Sequence, residues 1–325
     1  MSISPLTSLY PATNLERDKW VLERRPARDT LDPRKPYLFF VEQELSASGD
    51  VLPVATIFLT NRECPWRCVM CDLWRNTLTT AVPAGVILAQ IDFALSQLPA
   101  ARVLKLYNSG SFFDARAIPV EDHPAIAGKA NNFERLIVEN HPALVGDDCL
   151  RFRDRLKCRL EIAMGLETVH PEVLPKLNKR MTLNQFSTAA TFLGEHNIDL
   201  RVFILVQPPF MQPADAVFWA QRSIDFAFDC GATAVTLIPT RGGNGAMEAL
   251  AANGQFSAPR LETLEASLSY GLGSKRGRVF ADLWDADNIP SCTACKTPRI
   301  ARLRRMNFSQ INVAPVRCQS CDSAN

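Results

Sequence analysis

The chain has 325 residues, of which 47% are hydrophobic and 22% charged, with a formal net charge of +2. This composition predicts a globular protein with one large domain, alone or with a small appendage. No run of eighteen apolar residues occurs, and the first fourteen residues lack the basic-then-apolar order of a signal peptide, so we expect a cytoplasmic protein without a membrane span.

The chain begins with a polar stretch, residues 1–36, which is rich in Arg and Pro and is predicted as an N-terminal extension with one short helix over 15–25. Apolar runs then alternate with amphipathic stretches to the end of the chain. Strands are predicted over 37–41, 51–59, 102–107, 135–139, 159–165, 200–206, 234–238 and 278–283. Helices are predicted over 83–98, 120–130, 142–156, 183–195, 213–229 and 259–272.

This order of strands and helices predicts an α/β fold with a parallel sheet, which either lies open or curls into a full or partial barrel. In such folds the active site lies at the carboxyl ends of the strands. Polar residues directly follow the predicted strands, and we expect them to ring one mouth. They are the loop around residue 64 and the segments 108–111, 139–141, 167–168, 207–209 and 240–244.

The loop after the second strand holds Cys64, Cys68 and Cys71 at the spacing C-x3-C-x2-C. Three thiolates at such short spacings are typical ligands of an iron–sulfur cluster. A four-iron cluster held by three cysteines keeps one iron open, and open metal positions are where chemistry takes place. The alternative is a set of structural or zinc-binding cysteines.

The loop resembles the cluster motif of the radical S-adenosylmethionine (SAM) superfamily. The resemblance implies a partial (βα)6 TIM-like barrel over residues 37–285 and a [4Fe-4S] cluster whose open iron binds SAM. An electron donor then drives cleavage of SAM to a 5′-deoxyadenosyl radical, which abstracts a hydrogen atom. The family usually has an aromatic residue on the SAM adenine where this chain has Met70, a soft apolar substitute.

The same resemblance implies SAM contacts near four further strand ends. Gly110, between Ser109 and Ser111, lies where the family has a Gly-rich turn for the SAM amino group. The other implied contacts are Glu139 and Glu167 for the ribose or amine, Arg180 for the carboxylate, and Gln207 at the next strand end. The alternatives stay open here, namely an ordinary turn, solvated strand-end carboxylates and a helix-end charge.

Three segments, 60–64, 105–114 and 206–210, resemble the radical SAM subunits of archaeosine synthases, in the branch that includes the elongator catalytic subunit. This resemblance implies a base in tRNA or another RNA as substrate, and a partner enzyme subunit. The loop 241–248 departs from the pattern, and we expect it to set substrate choice. The alternatives are a radical SAM enzyme for a small metabolite or peptide, and a non-catalytic, metal-stabilised RNA-binding protein.

The C-terminal residues 286–325 are predicted to form a small metal-binding knuckle module. Two C-x2-C pairs indicate a four-cysteine zinc site, with a second iron–sulfur cluster as the alternative. The pairs are Cys292 with Cys295, and Cys318 with Cys321. The basic residues of this region predict a phosphate-binding surface, with a solvated basic helix face as the alternative. They are Lys296, Arg299, Arg302, Arg304, Arg305 and Arg317.

Overall fold

A computed structural model describes residues 9–322, so the first eight residues of the predicted extension and the last three of the predicted C-terminal module lie outside the described residues. Eight strands form one sheet in chain order. They are β1 (Leu38–Leu45), β2 (Val51–Phe58), β3 (Val103–Tyr107), β4 (Arg135–Glu139), β5 (Arg159–Glu167), β6 (Asp199–Val206), β7 (Ala234–Pro239) and β8 (Arg278–Ala281). β1 is antiparallel to β2, and every later pair is parallel.

Helices connect the strands and cover the outer face of the sheet. They are α1 (Asn14–Arg24), α2 (Val86–Leu95), α3 (His123–Ala130), α4 (Asp147–Arg153), α5 (Val173–Lys176), α6 (Leu183–Glu195), α7 (Ala216–Asp229), α8 (Ala246–Ala252), α9 (Leu261–Ser274), α10 (Lys296–Ser309) and α11 (Gln319–Asp322). The predicted start of α6 is correct, because Thr182 and Gln185 form a reciprocal capping box there. No helix in the described part of the chain is long and apolar enough to cross a membrane.

The predicted helix over 142–156 is wrong in its first turn. A short 3-10 helix covers Pro142–Leu144, and α4 begins only at Asp147. The backbone at Val145 and Gly146 is extended and separates the two. Periodicity alone does not show such a break, because apolar residues occur on both sides of it.

The sheet is curled, with its apolar outer face on the helices and its inner face around a narrow interior. On β3, for example, Leu104 and Leu106 belong to the core under the helices, whereas Tyr107 belongs to the inner layer. Tyr107 meets Phe203 of β6 across the interior, with ring centroids 6.2 Å apart. The predicted partial barrel is therefore confirmed, with seven parallel strands and one antiparallel strand at its edge.

The seam of the barrel lies between β8 and β1, which do not pair with each other, and α10 packs against both. Asn307 of α10 accepts from the Ala281 N–H (2.8 Å) and donates to the Ala281 carbonyl (2.9 Å). Gln310 makes the same pair of bonds with Val279, at 2.7 and 2.8 Å. Two side-chain amides thus replace a neighbouring strand and cover an edge that would otherwise be open to association.

The amino-terminal end of the barrel is filled by a network of buried ion pairs. Lys105 lies 3.0 Å from Glu44, and Arg201 lies 2.6 Å from Glu161. Burial alone would raise the pKa of Glu161, but Arg201, Arg278 and Arg135 outweigh it and lower that pKa. Because this end is packed with paired charges, access to the interior is from the carboxyl ends of the strands.

The N-terminal stretch packs on the barrel and is not a separate polar arm over the residues described. Trp20 and Val21 of α1 are buried in one apolar cluster with Met247 and Leu250 of α8. The predicted division at residues 36 and 285 stays a prediction. The packing of α1 was not expected because its two buried residues stand among charged ones.

Gly245 allows α1 to approach α8, and we expect its replacement to loosen this contact. A Cβ atom at Gly245 (φ 84°) would overlap the Arg24 carbonyl, whereas Gly243 (φ 106°) has nothing within 4 Å of that position. Both Gly→Ala changes cost about 1–2 kcal/mol for the left-handed backbone, and Gly245→Ala should cost about 1–3 kcal/mol more for overpacking. Urea unfolding measures the free energy of unfolding of both variants. Equal losses of stability in the two variants would contradict the close contact at Gly245.

Candidate active site at the carboxyl ends of the strands

The cysteine loop leaves β2 at the carboxyl end of the sheet, and a short parallel bridge closes its base. Glu63 N–H donates to the Leu78 carbonyl at 2.9 Å, and Leu78 N–H donates to the Asn61 carbonyl at 2.8 Å. All three cysteines are half-buried, and burial raises the pKa of each thiol to about 12. Thiols in such surroundings become thiolates when a metal replaces the proton.

Side chains that follow two distant strands hold the backbone of the loop. Asn178, after α5, donates to the Arg67 carbonyl at 2.9 Å. Asn244, after β7, donates to the carbonyls of Val69 (2.8 Å) and Cys71 (3.0 Å). Asn244 of the Gly-rich loop therefore fixes the cysteine loop, and the predicted role of the Gly-rich loop in substrate choice stays a prediction.

Glu63, the residue before the first cysteine, binds three arginines. Its carboxylate lies 2.7 Å from Arg25 and 3.1 Å from Arg67, and it also pairs with Arg28. Burial would raise the pKa of Glu63, but these arginines lower it. Three cations on one carboxylate leave an excess of positive charge beside the cysteines, which favours bound anions there. Arg25 and Arg28 belong to the N-terminal stretch and were not predicted as site residues.

The turn after β3 lies directly on Cys64. A Cβ atom at Gly110 would be 3.3 Å from the Cys64 Cβ, so a side chain at this position would press on the loop. Glu139 at the end of β4 accepts from the N–H groups of Asn108 (2.9 Å) and Ser109 (3.0 Å). Burial raises the pKa of Glu139 to about 7, against the lowering effect of these donors. Glu139 therefore braces the turn, and the SAM contact predicted for it stays a prediction.

The two serines of the turn also have partners within the protein. Ser109 Oγ lies 3.0 Å from the Tyr37 hydroxyl, and Ser111 Oγ accepts from the His141 N–H at 3.0 Å. The His141 ring stacks on Trp66 of the cysteine loop, with centroids 3.7 Å apart. Burial lowers the pKa of His141 to about 3, so the ring is neutral. This stack joins the cysteine loop to the end of β4.

A buried ion pair beside the cysteine loop joins the end of β5 to the segment after α5. Lys179 Nζ lies 2.5 Å from Glu167 Oε1. Burial alone would lower the pKa of Lys179, but Glu167 and Cys68 outweigh it and raise that pKa, so the ammonium stays charged. Arg180, the residue predicted to meet a carboxylate, is exposed and pairs with Asp18 of α1 instead. Lys179, which was not predicted, is thus the cation that faces the cysteines.

Two other predicted contacts lie farther from this centre. Gln207 is buried and donates to the carbonyl (2.8 Å) and hydroxyl (2.9 Å) of Ser257, so it holds the segment between α8 and α9. Met70 is partly buried and packs against the apolar cluster of α1 and α8. The SAM contacts predicted for Gln207 and Met70 stay predictions.

Asn108 and Asn140, at the ends of β3 and β4, are buried without hydrogen bonds from their side chains. Within residues 9–322, neither the amide oxygen nor the amide nitrogen of either residue has a partner. Buried amides almost always have partners, so two orphaned ones at one mouth indicate a place for a ligand. The three thiols fit an iron–sulfur cluster, and the buried ammonium and the two amides fit the amino and carboxylate groups of a ligand beside it.

The interior below the mouth is lined by aromatic rings in mutual contact. Trp284 stacks on Phe40 across the seam, with centroids 5.9 Å apart, and Phe40 meets Phe58 at 6.1 Å. Phe58 in turn meets Tyr107 at 5.8 Å. Trp284 is 53% exposed, and the other three rings are half-buried. This wall suits a planar ring that stacks on an exposed aromatic face.

The four C-terminal cysteines come together with the geometry of one metal ion. Cys292 and Cys318 have sulfurs 3.9 Å apart, Cys295 and Cys321 have sulfurs 3.7 Å apart, and all four lie within 4.8 Å of one another. Tetrahedral bonds of about 2.3 Å to zinc place sulfurs about 3.8 Å apart. A four-iron cluster attaches each sulfur to a different iron and spaces them more widely, so this site fits a single ion.

The predicted phosphate-binding surface of the C-terminal region is wrong for two of its members. Arg299 and Arg302 both pair with Glu265 of α9, and Arg302 is buried. Lys296 donates to the Asp287 carbonyl at 2.8 Å. Because Glu265 comes from an earlier helix, the local sequence does not reveal this pairing. The remaining members, Arg304, Arg305 and Arg317, are exposed.

Comparison with known proteins gives distant relatives that span most of the chain. One is an uncharacterized protein of Methanocaldococcus jannaschii, 24% identical over 324 residues, covering 90% of this chain and 86% of the relative. Another is archaeosine synthase subunit beta of Methanosarcina acetivorans, 25% identical over 299 residues, covering 82% of each. No family model matches. The similarity to the archaeosine synthase subunit confirms the resemblance that the sequence motifs indicated.

Solved structures give weaker likenesses. The Elp3 protein of Methanocaldococcus infernus has a TM-score of 0.49 and 14% identity, covering 68% of this chain and 58% of that one. The radical SAM methyltransferase TsrM of Kitasatospora setae, which contains cobalamin and a [4Fe-4S] cluster, has a TM-score of 0.43 and 17% identity, covering 55% of this chain and 35% of that one.

Proposed function

We propose that this chain is a radical SAM enzyme that modifies a base in RNA, with tRNA as the favoured substrate. The observation that carries the proposal is the group of side chains around the cysteine loop. A buried ammonium and a glycine turn lie beside the three thiols, and two orphaned amides lie at the ends of the neighbouring strands β3 and β4. Among the described residues, these three thiols do not come together as a site for one ion. Such a group at the open end of a barrel suits a cofactor and a reaction more than a structural metal.

In this proposal Cys64, Cys68 and Cys71 hold a [4Fe-4S] cluster. The bound cluster and SAM together supply one-electron chemistry that yields a radical able to abstract a hydrogen atom. The protein's own residues bind, orient and shield. Asn178 and Asn244 fix the loop so that the three thiols keep their places, and the arginines on Glu63 offset the negative charge of the cysteine ligands.

Lys179 takes over the role that the resemblance implied for Arg180. Its ammonium is held by Glu167 beside Cys68 and would pair there with the carboxylate of SAM. The backbone of the Gly110 turn approaches Cys64 closely enough to present carbonyls to the SAM amino group. Asn108 and Asn140 supply unused donors and acceptors for the remaining polar groups. Ser109, Ser111 and Glu139 support these groups by holding the turn in place.

A base in RNA is supported by two features that do not depend on each other. The relative with a named activity, archaeosine synthase subunit beta, is similar over most of this chain, and its name also suggests a partner subunit. The aromatic wall that ends at the exposed Trp284 offers a stacking face for a base. Stacking of a base on an aromatic side chain contributes about 1–3 kcal/mol.

The four C-terminal cysteines are proposed to hold zinc with a structural task. The ion would tie the segment before α10 to the segment after it, and α10 covers the seam of the barrel. Arg299 donates a hydrogen bond to Cys295 Sγ at 3.1 Å, which would orient this sulfur and offset its negative charge. A closed set of four thiolates leaves no position for a substrate, which is typical of structural zinc.

The substrate proposal is tested by mass spectrometry of nucleosides. Cluster-loaded protein, SAM and reductant are incubated with total tRNA from cells that lack the gene, and the nucleosides are compared with those of untreated tRNA. We expect one nucleoside to change in mass only when SAM is present. The control is protein that cleaves SAM and is supplied with its partner subunit. If such protein leaves the tRNA nucleosides unchanged, a small metabolite or peptide is favoured as substrate.

A further inference from the structure

A cavity of about 380 Å³ opens beside the cysteine loop, on the side of β2 and β3. Three of its six lining residues are arginines, and one is a carboxylate. They are Arg62, Glu63, Pro65, Arg67, Thr79 and Arg116. The cavity therefore lies between the base of the cysteine loop and the segment that follows the Gly110 turn, the two segments that meet at Cys64.

The positive charge of this cavity is not balanced within the protein. Arg62 forms no ion pair with any residue of the described range 9–322. Arg67 shares Glu63 with Arg25 and Arg28, so one carboxylate serves three guanidinium groups. Arg116 is 55% exposed and pairs with Asp114 at 3.1 Å. The lining itself thus holds three arginines and one carboxylate, Glu63, which is a formal excess of two positive charges.

This arrangement differs from that of the arginines buried elsewhere in the molecule. In the barrel interior and under α10, each buried guanidinium is close to a carboxylate, as with Arg201 and Glu161 or Arg302 and Glu265. Around the cavity, the guanidinium group of Arg62 has no protein partner among the described residues and lines an open space. Guanidinium groups match the geometry of phosphate oxygens, and their planar forks bind such groups in a bidentate manner.

We propose that this cavity, lined by Arg62, Arg67 and Arg116, binds a phosphodiester of the RNA substrate next to the reacting nucleotide. The inference rests on the RNA substrate proposed above and adds where its backbone is held. A phosphate anchored beside Cys64 places its own base or the adjacent one within reach of the mouth. Phosphate contacts fix the register of a nucleic acid, while the interior selects the base.

The test compares two pairs of substitutions that remove the same charge. One variant carries Arg62→Gln and Arg116→Gln at the cavity, and the matched control carries Arg304→Gln and Arg305→Gln on the exposed face of α10. Arg67 stays unchanged because it also pairs with Glu63 within the loop. The probe is a fluorescein-labelled, unmodified tRNA transcript, and its affinity is measured by fluorescence anisotropy over a range of salt concentrations.

We expect the cavity variant to bind this tRNA about tenfold more weakly. The slope of log affinity against log salt should fall by about 0.7–0.9, because one phosphate contact is lost. The control should stay within about twofold of the unsubstituted protein. Melting temperature and iron content report folding, and Arg116→Gln alone, at an exposed position, serves if the double variant is unstable.

Three results would overturn the inference, and they show whether the proposed RNA substrate fails with it. Equal binding by the cavity variant and the unsubstituted protein would remove the phosphate site and leave the RNA substrate standing. A larger loss of tRNA affinity in the α10 control than in the cavity variant would also remove the phosphate site at the cavity. It would indicate a phosphate contact on the C-terminal module instead. If the unsubstituted protein fails to bind tRNA at all, the proposed RNA substrate fails, and the cavity's role fails with it.

Discussion

Replacing Lys179 with methionine is expected to weaken SAM binding by about 10- to 150-fold. The ammonium is buried beside Cys68 and held by Glu167, so it offers SAM a charge-assisted hydrogen bond. Losing one such bond costs about 1.5–3 kcal/mol, which corresponds to this range of affinity. The measurement is isothermal titration of SAM into anaerobic, cluster-loaded protein, with iron content determined on the same samples.

The neighbouring residue provides the control for this prediction. Arg180→Met removes the same charge one residue away, but Arg180 is exposed and pairs with Asp18. Exposed ion pairs contribute about 0–1 kcal/mol, so its SAM affinity should change by less than about fivefold. If Arg180→Met weakens SAM binding more than Lys179→Met, the resemblance-based assignment of Arg180 is correct and the present one is wrong.

Removal of Lys179 is also expected to lower the stability of the fold, so a double variant separates this effect from the loss of SAM binding. Glu167 would be left buried without its partner, which costs about 3–5 kcal/mol for a broken buried pair. The double variant Lys179→Met with Glu167→Gln removes the uncompensated carboxylate while the SAM contact stays lost. It should regain most of the stability and none of the affinity, whereas a merely structural role for Lys179 would let the affinity recover as well.

Replacing Cys295 with serine is expected to remove the C-terminal metal and destabilise the barrel. The four sulfurs are spaced for one ion, and that ion joins the chain before α10 to the chain after it. Zinc binding in small modules has an apparent free energy of about 10–16 kcal/mol that is linked to folding. Even about 3 kcal/mol of this in the barrel would lower the melting temperature of a chain of this length by roughly 4–5 °C.

Cys158→Ser is the matched control, because Cys158 is half-buried and belongs to neither cysteine group. It should keep one zinc per chain and a nearly unchanged melting temperature. Metal analysis of a variant with Cys64, Cys68 and Cys71 all replaced by alanine separates the two sites further. We expect zinc without iron in that protein, and retained iron would contradict zinc at the C-terminal site.

The arrangement of strands and their carboxyl-end residues could be predicted from the sequence because it follows from local patterns. Runs of five to nine residues in the sequence predict the strands, and polar residues directly after them must meet at one edge of a parallel sheet. The cysteine spacings are equally local. This is why Gly110 beside Cys64 and the four C-terminal sulfurs lie together as expected.

The choice between adjacent side chains could not be predicted, because it depends on backbone conformation. Asn178 and Arg180 both have left-handed φ angles of 58°. These turns direct Lys179 inward to Glu167 and Arg180 outward to Asp18. A sequence in which two cations are neighbours does not indicate which of them is buried. The hydrogen bonds of Glu139 could not be predicted either, because its backbone partners come from the end of another strand.

Contacts between distant segments were the other source of error. The acidic partner of Arg299 and Arg302 is on α9, so the basic stretch of α10 looked unpaired. Only Ile300, Leu303 and Met306 are its buried apolar residues, which is too weak a pattern to predict a helix among so many charges. In the same way, Arg25 and Arg28 reach Glu63 from the N-terminal stretch without any local signal.

The central claim is that Cys64, Cys68 and Cys71 hold a cluster on which SAM is cleaved. Its most direct test is the release of 5′-deoxyadenosine from SAM by anaerobically reconstituted protein in the presence of dithionite, measured by liquid chromatography with mass detection. We expect 5′-deoxyadenosine from the unsubstituted protein and none from Cys68→Ala. Absence of this product from folded, cluster-loaded, unsubstituted protein would contradict the account.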